Sequence, residues 1–295
     1  MRTDRPWAAL MVVVGVLFAV PPAGAAVANG MIAFDSDRGG NFDIYTIRAD
    51  GSNVVRLTTN ASSDVDPAWS ADGTTIAFTS YRDGNANVYT MDADGTGEDQ
   101  FTTNAAFDGY PAWSPDGSKI SFTSSRSGNL DIWVANSSGG SAAQLTSNAS
   151  DDFGGVWSPD GSKIAFTTNR KGNSDVYVMN ADGSSETAVT TKAAADGWPS
   201  YSPDGSTFAF ESNRSGDFEV YTKNVSCCDP KRITTNDAFD GYPTWSPDGV
   251  KIAFVSDRPG SLDVYVMNAT GSKLTRYTKR PGVDESPDWQ ATGTT

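Results

Sequence analysis

Six aspartates recur at intervals of 44 residues and are the side chains of this sequence best spaced to act together. They are Asp64, Asp108, Asp152, Asp196, Asp240 and Asp284. Carboxylate oxygens are the ligands that hard cations prefer, so a ring of them would suit Ca²⁺ before any transition metal. An aspartate placed before a strand also commonly accepts hydrogen bonds from backbone N–H groups of its loop. The spacing therefore predicts either a shared calcium site or six structural loop contacts.

Aromatic residues stand near three of these aspartates and form a second candidate site. Two residues after the aspartate the sequence varies from repeat to repeat, and three repeats have Tyr110, Trp198 and Tyr242 there. Phe107 and Phe239 come directly before an aspartate. Aromatic rings of this kind stack on sugars or bind the side chains of a protein partner. The alternative interpretation is that they pack over the loops beneath them.

The composition excludes several classes of function. The chain contains no histidine, which removes any Ser-His-Asp triad and the commonest metal ligand. With 22 basic and 36 acidic residues the net charge is −14, so nucleic acid is not an expected partner. Glycosidase chemistry needs two carboxylates in different environments, whereas the six repeated aspartates are expected to share one kind of environment. We predict a binding protein, the alternative being a polysaccharide hydrolase or lyase that uses these carboxylates with a bound calcium.

The elements that position these residues follow from an internal repeat. The tripeptide Ile32-Ala33-Phe34 recurs in every unit, with one residue changed in two of them, at the same 44-residue step and with no insertion. Within one unit, a short apolar run precedes the turn Ser114–Gly117, and three further strands follow between Gly-containing turns. Each unit is therefore predicted to be a four-stranded antiparallel meander.

The two ends of the chain are complementary. The first unit begins at its second strand, near Met31, and the chain finishes with the isolated first strand Ser286–Trp289. We therefore predict an all-β fold, a six-bladed β-propeller closed by the carboxyl-terminal strand joining the amino-terminal blade. In this fold the six aspartates precede the innermost strands and are expected to ring one mouth of the central channel.

Two further series have expected structural uses. Trp69, Trp113, Trp157, Tyr201, Trp245 and Trp289 are predicted to form the core between blades. A series of arginines is predicted to bind a partner five residues later, across one hairpin. The arginines are Arg38, Arg82, Arg126, Arg170, Arg214 and Arg258, and the partners are Asp43, Asn87, Asp131, Asp175, Glu219 and Asp263.

The amino terminus has the features of a secretory signal. Arg2 and Arg5 precede an apolar run over residues 8–20, and small residues follow around Ala25. We predict a signal peptide over residues 1–25 and one propeller domain over residues 26–295. The mature chain is expected to be a secreted or periplasmic monomer with no membrane span.

The only cysteines, Cys227 and Cys228, are adjacent, which leaves open free thiols or a vicinal disulfide.

These motifs resemble a known family. The pattern Pro-x-Trp-Ser-Pro-Asp-Gly, then Ile-Ala-Phe, then Ser-x-Arg-x-Gly-x-x-Asp-Val-Tyr is similar to the WD-like repeat of TolB propellers. The stretches 111–126, 158–177 and 243–265 match it best. Related oligogalacturonate-lyase propellers depend on histidine, which this chain lacks. The resemblance implies a non-catalytic platform that binds an envelope or extracellular protein, or a glycan.

Overall fold

The computed structural model describes residues 28–292, and within them 24 β-strands. The predicted signal peptide lies outside the described residues. The first three strands are β1 (Ala28–Ser36), β2 (Asp43–Arg48) and β3 (Val55–Arg56). The next twelve are β4 (Asp64–Trp69), β5 (Thr75–Ser80), β6 (Asn87–Asp92), β7 (Asp99–Gln100), β8 (Asp108–Trp113), β9 (Lys119–Ser124), β10 (Asp131–Asn136), β11 (Ala143–Gln144), β12 (Asp152–Trp157), β13 (Lys163–Thr168), β14 (Asp175–Asn180) and β15 (Thr187–Ala188). The last nine are β16 (Asp196–Tyr201), β17 (Thr207–Ser212), β18 (Glu219–Asn224), β19 (Lys231–Arg232), β20 (Asp240–Trp245), β21 (Lys251–Ser256), β22 (Asp263–Asn268), β23 (Thr275–Arg276) and β24 (Asp284–Thr292).

The strands form six four-stranded antiparallel sheets, which confirms the predicted six-bladed propeller. Five sheets use four consecutive strands, whereas the sixth has the order β24-β1-β2-β3. In that sheet β24 pairs antiparallel with β1, and Trp289 lies opposite Ile32. The carboxyl-terminal strand therefore closes the ring as the sequence indicates, and it supplies the innermost strand of the first blade. Within the described residues no helix is long and apolar enough to cross a membrane.

The Pro-Asp-Gly turns are held by side chains of their own sequence. In the third blade Asp116 accepts hydrogen bonds from the Ser114 hydroxyl at 2.6 Å and the Ser118 amide at 3.0 Å. These bonds lower the pKa of Asp116 to about 2. Gly117 has φ 69°, the left-handed conformation that closes such a turn without steric cost. The turn thereby directs the chain from the innermost strand into the second strand.

The core lies between neighbouring blades. Ile120 and Phe122 of β9 are fully buried, as are their counterparts in the other blades. One cluster joins Ala33 and Ile44 of the first blade to Trp69 and Phe78 of the second. The other members of the tryptophan series join equivalent clusters. Their predicted place between blades is confirmed.

Cys227 and Cys228, in the exposed turn after β18, are joined by a disulfide.

Candidate functional site

Each of the six aspartates is buried in an ion pair with an arginine of its own blade. Their carboxylates have no solvent exposure, and the arginine side chains are 10–21% exposed. The pairs are Asp64–Arg82 at 3.1 Å, Asp108–Arg126 at 2.6 Å, Asp152–Arg170 at 3.0 Å, Asp196–Arg214 at 2.6 Å, Asp240–Arg258 at 2.5 Å and Asp284–Arg38 at 2.5 Å. The expectation that these aspartates line the channel mouth is therefore wrong, because each carboxylate is held inside its blade by a guanidinium.

This arrangement bears on the predicted calcium site. Among residues 28–292 no group of three or more acidic, cysteine or histidine side chains is arranged to hold a metal ion. The calcium prediction at Asp64, Asp108, Asp152, Asp196, Asp240 and Asp284 loses the converging carboxylates on which it rested. The six residues serve the alternative that the sequence left open, a structural contact repeated in every blade.

The arginine series also has a different partner from the one predicted. Each guanidinium reaches back to the innermost strand instead of binding across its own hairpin. The predicted partner Asp43 instead binds Arg56, at 2.6 Å, and Asp263 binds Arg276. The arginine is also covered by aromatic rings: the guanidinium carbon of Arg82 lies 4.4 Å from the centre of the Tyr89 ring. Carboxylate, guanidinium and aromatic ring thus form one stack in each blade.

A β-bulge follows each aspartate and directs the next variable side chain into the central channel. The residue two positions on has a positive φ in every blade: Asp66 (54°), Tyr110 (52°), Gly154 (64°), Trp198 (50°), Tyr242 (51°) and Ser286 (48°). The strand register shifts at the same place. A positive φ is uncommon for residues other than glycine, and bulges re-aim side chains at functional sites. Among the six residues at this position, Gly154 is the one whose residue type indicates a positive φ from the sequence.

The amide groups of the bulges bind to the neighbouring blade. The Tyr110 and Trp198 amides donate to the hydroxyls of Thr79 and Thr167, at 3.1 Å and 3.0 Å. In two blades a carboxylate takes the place of threonine. The Asp66 amide donates to Asp35 at 3.2 Å, and the Tyr242 amide donates to Glu211 at 3.1 Å. These bonds fix the bulges, and they bring two additional acids beneath the channel mouth.

The channel itself is a cavity of about 340 Å³ between the six innermost strands. Its lining residues include all six bulge positions, among them Tyr110, Trp198 and Tyr242, and the prolines that follow several of them. The predicted residues Tyr110, Trp198 and Tyr242 therefore line the channel, and Phe107 and Phe239 are described below by their contacts with the tyrosines. Their role in binding stays a prediction.

The aromatic residues form a continuous wall on one side of the mouth, which we call the aromatic arc: Phe107, Tyr110, Phe153, Trp198, Phe239 and Tyr242. The Trp198 ring centre lies 5.0 Å from those of both Tyr110 and Tyr242. Trp198 reaches Tyr110, two blades away, because the blade between them has Gly154, where a Cβ atom would lie 3.0 Å from the indole. Phe107 and Phe239 pack on the tyrosines, at 5.7 Å and 6.1 Å.

Acidic residues gather on the other side of the mouth. Asp66 lines the cavity, Asp35 beneath it accepts a hydrogen bond from the Asp66 amide, and Glu285 pairs with Asp35 across β24 and β1. We call Asp35, Asp66 and Glu285 the acidic arc. Asp66 accepts a hydrogen bond from the Ser286 hydroxyl of β24, at 3.1 Å, and its own amide donates to Asp35. Burial raises the pKa of Asp66 to about 6. Burial and then the charges of Asp66 and Glu285 raise the pKa of Asp35 well above its ordinary range. Burial also raises the pKa of Glu285.

Sequence reasoning missed the acidic arc, although the repeat carries a signal for it. Glu285 stands where the other blades have valine, glycine or phenylalanine, and Asp35 stands where three blades have threonine. The carboxylates that do not repeat are the ones that the fold brings to the channel.

Family comparison agrees with this geometry. Five overlapping stretches match the TolB beta propeller domain, over residues 22–108, 65–156, 104–198, 149–240 and 194–295. The chain belongs to the TolB β-propeller domain family. No curated protein sequence matches this chain significantly.

Solved structures share the TolB-type propeller with this chain. TolB from Acinetobacter baumannii is 21% identical with a TM-score of 0.80, and the match covers 88% of this chain and 66% of TolB. A protein described as TolB from Agrobacterium tumefaciens is 23% identical, with a TM-score of 0.74 and coverage of 88% and 92%. Oligogalacturonate lyase from Vibrio parahaemolyticus is 16% identical, with a TM-score of 0.60 and coverage of 85% and 75%. At these identities the similarity concerns the fold, and this chain spans just under two thirds of the Acinetobacter TolB.

Proposed function

We propose that this TolB-family propeller is an exported, non-catalytic protein that binds an envelope or extracellular protein at the mouth of its central channel. The observation that carries the proposal is the asymmetric mouth. Most of each blade repeats, whereas the bulge residues differ and place an aromatic arc opposite an acidic arc. Partly buried aromatic side chains beside charges are the usual make-up of an interaction hot spot. The TolB family also supports a protein-binding role in the cell envelope.

The proposal is tested by affinity capture from envelope and secreted fractions with four purified baits. The wild-type chain, Trp198→Ala, Tyr242→Ala and the control Lys119→Ala are compared by quantitative mass spectrometry. Lys119 is exposed at the start of β9, beside the Pro-Asp-Gly turn on the opposite face. A true partner is retained by the wild type and by the control, and it is lost with both aromatic variants.

The captured partner is then purified and its affinity measured by calorimetry. We expect Trp198→Ala and Tyr242→Ala each to weaken binding by about 1–3 kcal/mol, because central aromatic residues carry most of the energy of an interface. Lys119→Ala should leave the affinity unchanged. The reverse ranking would place the binding surface on the opposite face and contradict the proposal.

Two further assays test the alternatives, which are a glycan ligand and a polysaccharide-active enzyme. Incubation with mixed polysaccharides should release no new reducing ends. A glycan array should show no ligand whose binding depends on Trp198. A turnover-dependent release of reducing ends, lost when Asp66 and Glu285 are changed, would replace the binding role with catalysis.

A further inference from the structure

The carboxylates of the acidic arc differ from the repeated aspartates in one respect, the absence of a counter-charge. Each repeated aspartate has an arginine within 3.1 Å. In the part of the chain that the structure describes, none of the ion pairs involves Asp35, Asp66 or Glu285. Asp35 is only 1% exposed, and its neighbours Asp66 and Glu285 repel it electrostatically. Buried carboxylates are costly to ionise unless a positive charge or several donors accompany them.

The aromatic arc faces this uncompensated charge. Asp66, Tyr110 and Tyr242 line the same cavity. Burial raises the phenol pKa of both tyrosines, and nearby negative charges that include Asp66 and Glu285 raise it further. Tyr110 and Tyr242 each lie against Trp198. The electron-rich faces of such rings attract cations, and Trp does so most strongly. The two arcs therefore favour the same kind of ligand from opposite sides of the cavity.

Inside each blade of this protein, a carboxylate and aromatic rings together bind a guanidinium group. In the second blade the Arg82 guanidinium binds Asp64 and lies over the Tyr89 and Phe78 rings, at 4.4 Å and 5.7 Å. All six blades repeat this stack of carboxylate, guanidinium and aromatic ring. The channel mouth has the carboxylates and the rings of the stack and lacks only the guanidinium.

We propose that the channel mouth binds one cationic side chain of the protein partner, an arginine or lysine inserted between the acidic arc and the aromatic arc. The inference rests on the proposed function for the protein nature of its ligand. The cavity of about 340 Å³ lies at the small end of the range of ligand pockets, which suits a single inserted side chain. The net charge of −14 draws such a partner toward the protein.

The experiment uses small probes and needs no partner. The purified chain is titrated with propylguanidinium chloride and with its neutral counterpart N-propylurea, while NMR follows the tryptophan indole N–H signals. The signal of Trp198 is assigned by its loss in Trp198→Phe. We expect the Trp198 signal to shift with propylguanidinium at millimolar concentration. The neutral probe should bind at least about tenfold more weakly, because it lacks the charge that the carboxylates attract.

A double variant tests the acidic arc. Asp66→Asn with Glu285→Gln removes two charges and keeps the shape, and asparagine tolerates the positive φ at position 66. The matched control, Asp50→Asn with Asp94→Asn, removes two charges from exposed turns of the opposite face. The arc variant should weaken binding of propylguanidinium at least about tenfold, as expected for loss of charge compensation in a partly buried site. The control should bind as the wild type does.

The outcomes separate this inference from the proposed function. Equal binding of the two probes, unchanged binding by the arc variant, or no shift of the Trp198 signal would each overturn the cationic ligand. Any of these results leaves partner capture through Trp198 and Tyr242 intact as a separate measurement. Conversely, a cation site at the mouth of a chain that captures no partner through those residues would uphold the site chemistry and contradict the proposed function.

Discussion

At the residue scale, the Asp–Arg pairs explain why two charged series recur in every blade. The Asp108 carboxylate, with no exposure, is bound by Arg126, whose guanidinium carbon lies 4.8 Å from the centre of the Trp133 ring. A buried ion pair contributes modestly as a whole, whereas loss of one partner leaves an uncompensated charge. The pair also joins the innermost strand to the loop between the second and third strands. It therefore orients the bulge that begins two residues after Asp108.

Removing one of these arginines should destabilise the fold. Arg126→Met keeps the aliphatic stem and leaves Asp108 buried without its cation, so we expect a loss of about 3 kcal/mol in the free energy of unfolding. Urea unfolding at neutral pH measures it. The control is Lys192→Met, which removes an exposed pair with Asp229 at 3.8 Å and should leave stability unchanged. Equal effects of the two variants would mean that the Asp108–Arg126 pair is not structural.

A second residue-scale prediction concerns pH. Glu211, 8% exposed beneath Tyr242, has its pKa raised by burial from the ordinary 4.5 to about 7. The unfolded chain releases this proton at lower pH than the folded chain does, so stability falls as pH rises from about 4.5 to 7. The contribution amounts to about 3 kcal/mol at pH values above that range.

The variant Glu211→Gln isolates this contribution. The amide keeps an oxygen that accepts the Tyr242 N–H, and it does not ionise. We expect equal stability of variant and wild type near pH 4, and a more stable variant above pH 7 by about 3 kcal/mol. Urea unfolding at a series of pH values measures the difference in the free energy of unfolding between variant and wild type. Because both proteins contain Asp35 and Asp66, the contributions of those residues cancel in this difference. Parallel stability curves would show that Glu211 is not buried in this way.

At the scale of elements, the innermost strands carry both the closure of the ring and the site. Five of the bulge amides donate to a side chain of the preceding blade, so the strand that exposes a channel residue also joins two blades. The closing strand β24 does more, since it completes the first sheet and contributes Ser286 to the cavity lining, where its hydroxyl donates to Asp66. Asp284 at its start holds Arg38 of the first blade.

Deleting residues 284–295 should abolish cooperative folding. The deletion removes β24, exposes the inner edge of β1 and the core around Ile32, and leaves the ring open. Thermal melting followed by circular dichroism should lose its sharp transition. Removing only residues 293–295 leaves β24 complete and should change nothing. A melting temperature of the longer deletion within a few degrees of the wild type would contradict the closure.

At the scale of the whole molecule, a nearly six-fold scaffold supports a site with no symmetry. Ion-pair stacks and core clusters repeat in every blade, and Pro-Asp-Gly turns repeat in four of them. The mouth differs because neighbouring bulges place Gly154 beside Trp198, and Ser286 beside Asp66. Uniform blades position the residues, and the exceptions to the repeat give the mouth its chemistry.

Much of this architecture was predictable from the sequence because its causes are local. A strand, a Pro-Asp-Gly turn and an alternating apolar pattern each depend on residues within about ten positions. The 44-residue step then copies that local structure six times, and the half-units at the ends imply closure. Ile32 and Trp289, the first and last core positions, could be paired on this ground alone.

Only the tertiary structure decided the contacts that make the site. The partner of Arg38 lies 246 residues away in Asp284, whereas the sequence favoured Asp43 because it is near in the chain. The acidic arc joins β1, β4 and β24, and its Ser286–Asp66 bond spans 220 residues. Local pattern fixes which residues face inward, but charge compensation depends on which inward residues meet once the ring closes. The repeat therefore determined the blades, and the packing of six blades determined which carboxylates received a cation and which were left facing the channel.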